Sequence, residues 1–279
     1  MVTNLDQIKV SGEDGKAPKV EGAWPLAIAK TESKILKEGT GEKVDKNATL
    51  KVNYVGVNGR TGKEFDSSYK RGTTADFPLA QVVPGFAKGL VGKHQGDRVL
   101  IMMPGSDGYD SQGGAPQAGI MKGDSLIFVV DIVAIPLPKA TGETVKPAAG
   151  LPTVKEVQGA PAVTIGKATK PNKLVVQPLI KGKGAAVTAH DSIDVKYRTY
   201  AWSSGELIED GYSGEPVTGS MNSVIPGWKK GLTGQTVGSR VMLIVPPADA
   251  YPNGSTNPPV KKGETLIYVI DILSAQKES

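Results

Sequence analysis

Leu50, Val52 and Tyr54 alternate with Lys51 and Asn53. A period of two predicts a strand with one buried face, and it puts the tyrosine ring on that face. "RVLIMMP" (98–104) and "SLIFVVDIVAI" (125–135) are apolar at consecutive positions and rich in branched residues, the pattern of central strands. Only "VVPGFAKGL" (82–90) has helical spacing. Phe86 and Leu90 fall four apart on one side, Pro84 suits the first turn, and Gly92 follows the end. One short helix among several strands predicts an α+β domain, an antiparallel sheet wrapped around the helix.

The pattern is written twice. "LKVNYVG" (50–56) matches "IDVKYRT" (193–199), and "VVPGFAKGLVG" (82–92) matches "VIPGWKKGLTG" (224–234). "GDRVLIMMPGSDGY" (96–109) returns as "GSRVMLIVPPADAY" (238–251), and "GDSLIFVVDI" (123–132) as "GETLIYVIDI" (263–272). The leads match too, "GKAPKV" (15–20) with "QGAPAV" (158–163), and Gly39 and Gly41 with Gly182 and Gly184. Such spacing is too long for a solenoid unit and predicts two self-contained domains. The expected division is an N-terminal extension at 1–23, a first domain at 24–137, a Pro/Gly-rich extended linker at 138–152 and a second domain at 153–279.

Bulk properties narrow the function classes. The net charge of +5 is diffuse, with no basic run interleaved with aromatics, so no nucleic-acid partner is expected. The absence of cysteine excludes disulfides, thiolate catalysis and cysteine-ligated metals. His94 and His190 stand in turn contexts without further ligands at metal spacing, and no metal or cofactor is expected. "GSDGYDSQGG" (105–114) lacks the ligand ladder of a calcium loop, and no serine lies in G-x-S-x-G. No apolar run reaches the roughly 18 residues of a membrane span, and "MVTNLDQIKV" has no charged-then-apolar signal pattern.

Aromatics make up only 5% of the chain, yet they fall at matching places in both copies. In the first, Tyr54, Phe65, Phe77, Phe86, Tyr109 and Phe128 project to where helix meets sheet, with Val82, Val83 and Ile120 adjoining. The plain reading is a core. Against it, a buried tyrosine hydroxyl needs a partner, and Asp66 beside Phe65 is costly if unpaired. Tyr54 is placed to satisfy Asp66, which leaves Tyr109 for an external group. An apolar cavity with few directed polar groups is the usual make-up of a ligand site.

In order, "VNYVG…GKEFDSS…VVPGFAKGLVG…GDRVLIMMP…GY…GDSLIFVVDI" resembles the FKBP-type peptidyl-prolyl cis-trans isomerases over about 110 residues of the first copy and, more loosely, of the second. The resemblance implies two tandem FKBP-like domains that assist folding of proline-containing polypeptide clients. It implies Tyr54, Asp66 and Tyr109 as catalytic residues, and Phe65, Phe77, Val82, Val83, Phe86, Ile120 and Phe128 as the substrate wall. Members also bind macrolides such as tacrolimus there. Phe86 stands where the family usually has tryptophan, and "GYD" replaces the common A-Y-G. The leads before each copy are similar to those of tandem secreted lipoprotein members of actinobacteria, which implies an extracytoplasmic, envelope-associated location.

The second copy keeps Tyr197, Val224, Ile225, Trp228 and Tyr251, with Val260 for Ile120. Ile208 replaces the Phe65 wall, Glu209 replaces Asp66, and Tyr268 replaces Phe128. Activity is therefore expected mainly in the first domain, with the second weak or a binding and chaperone-like module. The competing reading is a non-catalytic cell-surface binding protein with two β-rich modules.

Overall fold

In the computed structural model, which describes residues 4–13 and 15–277, the chain parts into two units after Pro136. The first opens with a hairpin, β1 (Lys9–Ser11) and β2 (Lys19–Glu21). It continues with β3 (Glu32–Lys37), β4 (Thr49–Asn58), β5 (Glu64–Ser67), α1 (Ser68–Arg71), β6 (Ala75–Pro78), α2 (Pro84–Leu90), β7 (Arg98–Met103), β8 (Gly114–Ala115), β9 (Ile120–Met121) and β10 (Leu126–Ala134). The main sheet is antiparallel in the order β3-β7-β10-β4-β5, with β6 also pairing β4.

Side-chain parity explains why these strands read as apolar on both faces. Leu50, Val52 and Tyr54 of β4, Val99, Ile101 and Met103 of β7, and Phe128 and Val130 of β10 turn to one core, which α2 covers with Phe86 and Leu90. The intervening Val55, Val57, Leu100, Met102, Ile127 and Val129 form a second core. That face is covered by Leu5, Ile8, Leu26 and Ile28, with Val10 and Val20 of the N-terminal hairpin packed alongside. Residues 4–13 and 15–23, the expected N-terminal extension, thus pack on this sheet through these side chains. Uncovered, this face would leave apolar strands in water.

The helix lies tight on the sheet because of two glycines. A Cβ at Gly85 would stand 2.4 Å from the Met103 sulfur, and one at Gly89 would stand 2.7 Å from Ile101. Gly227 and Gly231 repeat the arrangement against Val245 and Leu243.

The second unit comprises β11 (Glu143–Thr144), β12 (Thr153–Val157), β13 (Ala160–Thr164), β14 (Val175–Lys181), β15 (Asp191–Ala201), β16 (Leu207–Asp210), β17 (Val217–Ser220), α3 (Pro226–Leu232), β18 (Arg240–Val245) and β19 (Leu266–Lys277). Its antiparallel sheet runs β11-β14-β18-β19-β15-β16, with β17 on β15. The β12–β13 hairpin does for this sheet what β1–β2 does for the first, setting Val154 and Val163 against Met242, Ile244, Ile267 and Val269. Among the described residues no helix stands between β16 and β17.

The stretch expected as a linker makes backbone contacts with the second sheet. Thr141 donates its backbone N–H to the Gly238 carbonyl at 2.8 Å, Ala140 to the Asp271 carboxylate at 3.2 Å, and β11 pairs with β14. Composition marks this stretch as extended, but the free edge of β14 offers its backbone groups a partner. Among the described residues no helix is long and apolar enough to cross a membrane.

Candidate functional site

The strand β4 delivers Tyr54 to the core face, and β5 returns beside it so that Asp66 lies opposite Gly56. Ser67 then caps α1, accepting from the Lys70 backbone N–H at 3.4 Å, and one turn of helix brings Arg71 back over the strand. Three side chains close on one another there. Asp66 accepts from the Tyr54 hydroxyl and from Arg71 Nη1. Arg71 Nη2 donates to the Tyr54 oxygen at 3.0 Å, and the guanidinium carbon stands 5.5 Å from the ring centroid. The expected Tyr54–Asp66 pair is present. Arg71 was not anticipated; its only signal is the basic residue five positions after Asp66.

The electrostatics follow from these contacts. Burial first, and the hydrogen bond to Asp66 second, push the Tyr54 hydroxyl up to about 12. Burial alone would raise Asp66, but the bonds from Tyr54 and Arg71 outweigh it and hold the carboxyl below its ordinary value. At neutral pH the phenol is therefore a neutral donor and the carboxylate a paired anion. Neither changes its proton there.

The aromatic rings meet around one cavity of about 270 Å³. Phe86 on α2 lies 4.7 Å from Phe77 and 4.6 Å from Phe128, while Phe65 meets Phe128 edge-on at 5.5 Å. Tyr54 completes the ring 5.2 Å from Phe77. Every residue expected on this wall lines it except Ile120, and Gln81 joins them. Ile120 is held by the β8–β9 pairing and is buried in the core instead. The volume lies just under the roughly 300–1,000 Å³ of drug-sized sites and suits one small ring.

Tyr109 lines the same cavity at the start of a 3₁₀ turn, Asp110–Gln112. Its hydroxyl pairs with no side chain among the described residues. Burial, and then the Asp66 charge, raise its pKa and keep it a donor. The adjoining Asp110 accepts from the Gly123 backbone N–H at 2.7 Å, so the "GYD" variation pins this loop to the turn before β10.

The second unit builds a smaller cavity, about 210 Å³. Trp228 is its floor, meeting Tyr197 edge-on at 5.0 Å and Tyr268 at 5.5 Å. Of the residues expected there, Ile208 and Val260 do not line the cavity, and Ser223 does. Ile208 packs at the core margin, and Val260 is buried behind its bridge to Ser255. Glu209 accepts from Thr199 Oγ1 at 2.8 Å and from the Tyr197 hydroxyl at 3.3 Å. Thr199 stands where the first copy has Gly56, and Gly214 where it has Arg71. No cation pairs with Glu209 among the described residues.

The FKBP-type peptidyl-prolyl cis-trans isomerase family model matches residues 40–133 and 183–273. A probable FK506-binding protein of Corynebacterium glutamicum is 32% identical over 117 residues, 41% of this chain and 98% of its own length. An FK506-binding protein of Streptomyces anulatus is 40% identical over 100 residues, 35% of this chain and 80% of its own. The FKBP-type peptidyl-prolyl cis-trans isomerase FkpA of Escherichia coli K12 is 36% identical over 107 residues, 38% of each. Among solved structures, the three FKBP domains of wheat FKBP73 cover 89% of this chain and 95% of their own at 19% identity and a TM-score of 0.37.

Proposed function

Because the chain belongs to the FKBP-type peptidyl-prolyl cis-trans isomerase family, we propose that it accelerates cis–trans interconversion of X–Pro bonds in polypeptide clients, chiefly at the first cavity. The uncatalysed bond crosses about 18–20 kcal/mol because rotation breaks amide resonance. It exchanges in tens of seconds or longer. Reaching milliseconds takes about 10⁴-fold, or roughly 5–6 kcal/mol.

No bond needs to be attacked and no proton moved. The observation that carries this reading is the aromatic cavity whose directed groups, a neutral Tyr54 and a paired Asp66, hold their protonation at neutral pH. A dry aromatic wall disfavours the planar, more dipolar amide relative to the twisted one. Phe65, Phe77, Phe86 and Phe128 hold the proline ring, and Tyr109 donates to the neighbouring carbonyl. Asp66 fixes the Tyr54 hydroxyl and sets a charge near the twisting bond. These contributions act on the transition state more than on the ground state, as rate enhancement requires.

The second cavity lacks the Phe65 wall and the Arg71 bridge, which supports a role in binding rather than turnover. The FK506-binding relatives support a tacrolimus-like macrolide as a competitive ligand of the first cavity. The test is the prolyl exchange rate of the full chain carrying Tyr109→Phe or Tyr251→Phe. The larger loss is expected from Tyr109→Phe. Equal losses would contradict the division, and an inactive parent chain would favour a purely binding protein.

A further inference from the structure

The two cavities share a carboxylate and a tyrosine but not the cation that joins them. In the first, the Arg71 guanidinium is bonded to both Asp66 and Tyr54 and lies beside the Tyr54 ring. In the second, Tyr197 and Glu209 keep this relationship, with the hydroxyl 3.3 Å from Oε1. Along the chain Gly214, which carries no side chain, falls where the first copy has Arg71. Glu209 is half-buried. Its two hydrogen-bond donors, Thr199 and Tyr197, are neutral hydroxyls, and no cation pairs with it among the described residues. A carboxylate has room for about four hydrogen bonds.

The surrounding surface has the matching character. Trp228, Tyr268 and Tyr251 wall the cavity next to Glu209. Burial first, with the Glu209 charge contributing, raises the pKa of both Tyr251 and Tyr268, so both phenols remain neutral beside the Glu209 carboxylate. An aromatic enclosure with an anion attracts organic cations through both ring faces and charge. A long basic side chain can lay its methylene stem along the rings and place its head on the carboxylate.

We propose that the second cavity binds the cationic side chain of a basic residue, arginine above all, on a client polypeptide, at the place where the first cavity carries its own Arg71. The planar guanidinium suits a carboxylate flanked by a phenol oxygen better than an ammonium does. The second unit thereby selects basic client segments while the first acts on their prolines. This rests on the reading of the second unit as a binding module and names what it binds.

The test follows the Trp228 indole N–H by NMR in the full-length chain during titration with the peptide acetyl-Ala-Arg-Ala-amide. The citrulline peptide, which has the same shape and no charge, is the control, and tetramethylammonium is the free-cation arm. Saturable shifts are expected with the arginine peptide, and at least ten-fold weaker binding with citrulline and with tetramethylammonium. Glu209→Gln should weaken the arginine peptide at least ten-fold. Gly214→Arg, which supplies a guanidinium internally and serves if Glu209→Gln misfolds, should do the same. Equal binding of arginine and citrulline, or no saturation with either, overturns the proposal. Tetramethylammonium binding as tightly as the peptide overturns the polypeptide as its source. The readout is occupancy, so failure here leaves the prolyl exchange rate of the first cavity to stand or fall by its own measurement.

Discussion

Gly56 and Phe65 face each other across β4 and β5 so closely that a Cβ on Gly56 would stand 2.7 Å from the Phe65 ring, and 2.9 Å from that of Phe128. The wall of the first cavity therefore depends on a residue that carries no side chain. In the second unit the equivalent position is Thr199, and Ile208, in the sequence position of Phe65, packs at the core margin instead of lining the cavity, a paired change that replaces ring area with a hydroxyl bonded to Glu209.

Gly56→Thr in the first unit is expected to push both rings from their places. Overpacking of this kind costs about 1–3 kcal/mol, and a wall displaced by about 1 Å costs on the order of 10²-fold in turnover. Denaturant unfolding and the prolyl exchange rate of the same variant check both effects. A variant with the parent's rate would show that the Phe65 wall is dispensable.

The pH dependence separates this mechanism from acid–base catalysis. With Asp66 held below its ordinary value and Tyr54 near 12, turnover should be level from roughly pH 5 to 9 and fall only as pH drops below about 3.9, the ordinary aspartate value. The stability contribution has the same sign. A depressed folded-state pKa adds stability that is fully present above the unfolded value and is lost as pH falls through the folded one. Asp66→Asn should remove that acid-side loss and lower turnover together. An inflection near neutral pH in the rate would contradict the mechanism.

Arg71→Leu should release Asp66 and Tyr54 from each other's fixed geometry. Turnover is expected to fall several-fold with little change in melting temperature, because both side chains of the pair are close to half exposed and exposed pairs contribute about 1 kcal/mol or less. Exchange kinetics beside a thermal melt check this.

The N-terminal residues are expected to behave as core. Leu5 is buried against the back of the first sheet, and Leu5→Ala should cost about 2–5 kcal/mol by the usual large-to-small scale. Equilibrium unfolding measures it. A cost near zero would mean that the segment carrying Leu5 is an appendage.

The alternation at Leu50, Val52 and Tyr54 and the four-residue spacing of Phe86 and Leu90 were legible because burial on a regular element leaves a period in the sequence. The aromatic cluster was legible for a related reason: scarce rings recurring at matched positions mark a shared location. The covering hairpins were not. Three-residue strands such as β1 and β2 are too short to show a period, and what they cover is visible only as strands apolar on both faces. Arg71 escaped because a cation at the rim leaves no hydrophobic signature. The backbone contacts of the stretch from Leu137 to Val145 were not legible, because proline content reports backbone stiffness and says nothing about a sheet edge in need of a partner. Ile120 and Val260 matched the wall by order along the chain, while short bridges bury both in the core.

Exchange spectroscopy on an alanyl-proline peptide with the intact chain tests the central claim most directly. A rate enhancement of about 10⁴-fold is expected, lost by at least an order of magnitude in Phe65→Ala and unchanged when water is replaced by deuterium oxide. No enhancement with the intact chain, or a rate that falls several-fold in deuterium oxide, would contradict catalysis by an aromatic enclosure that moves no proton.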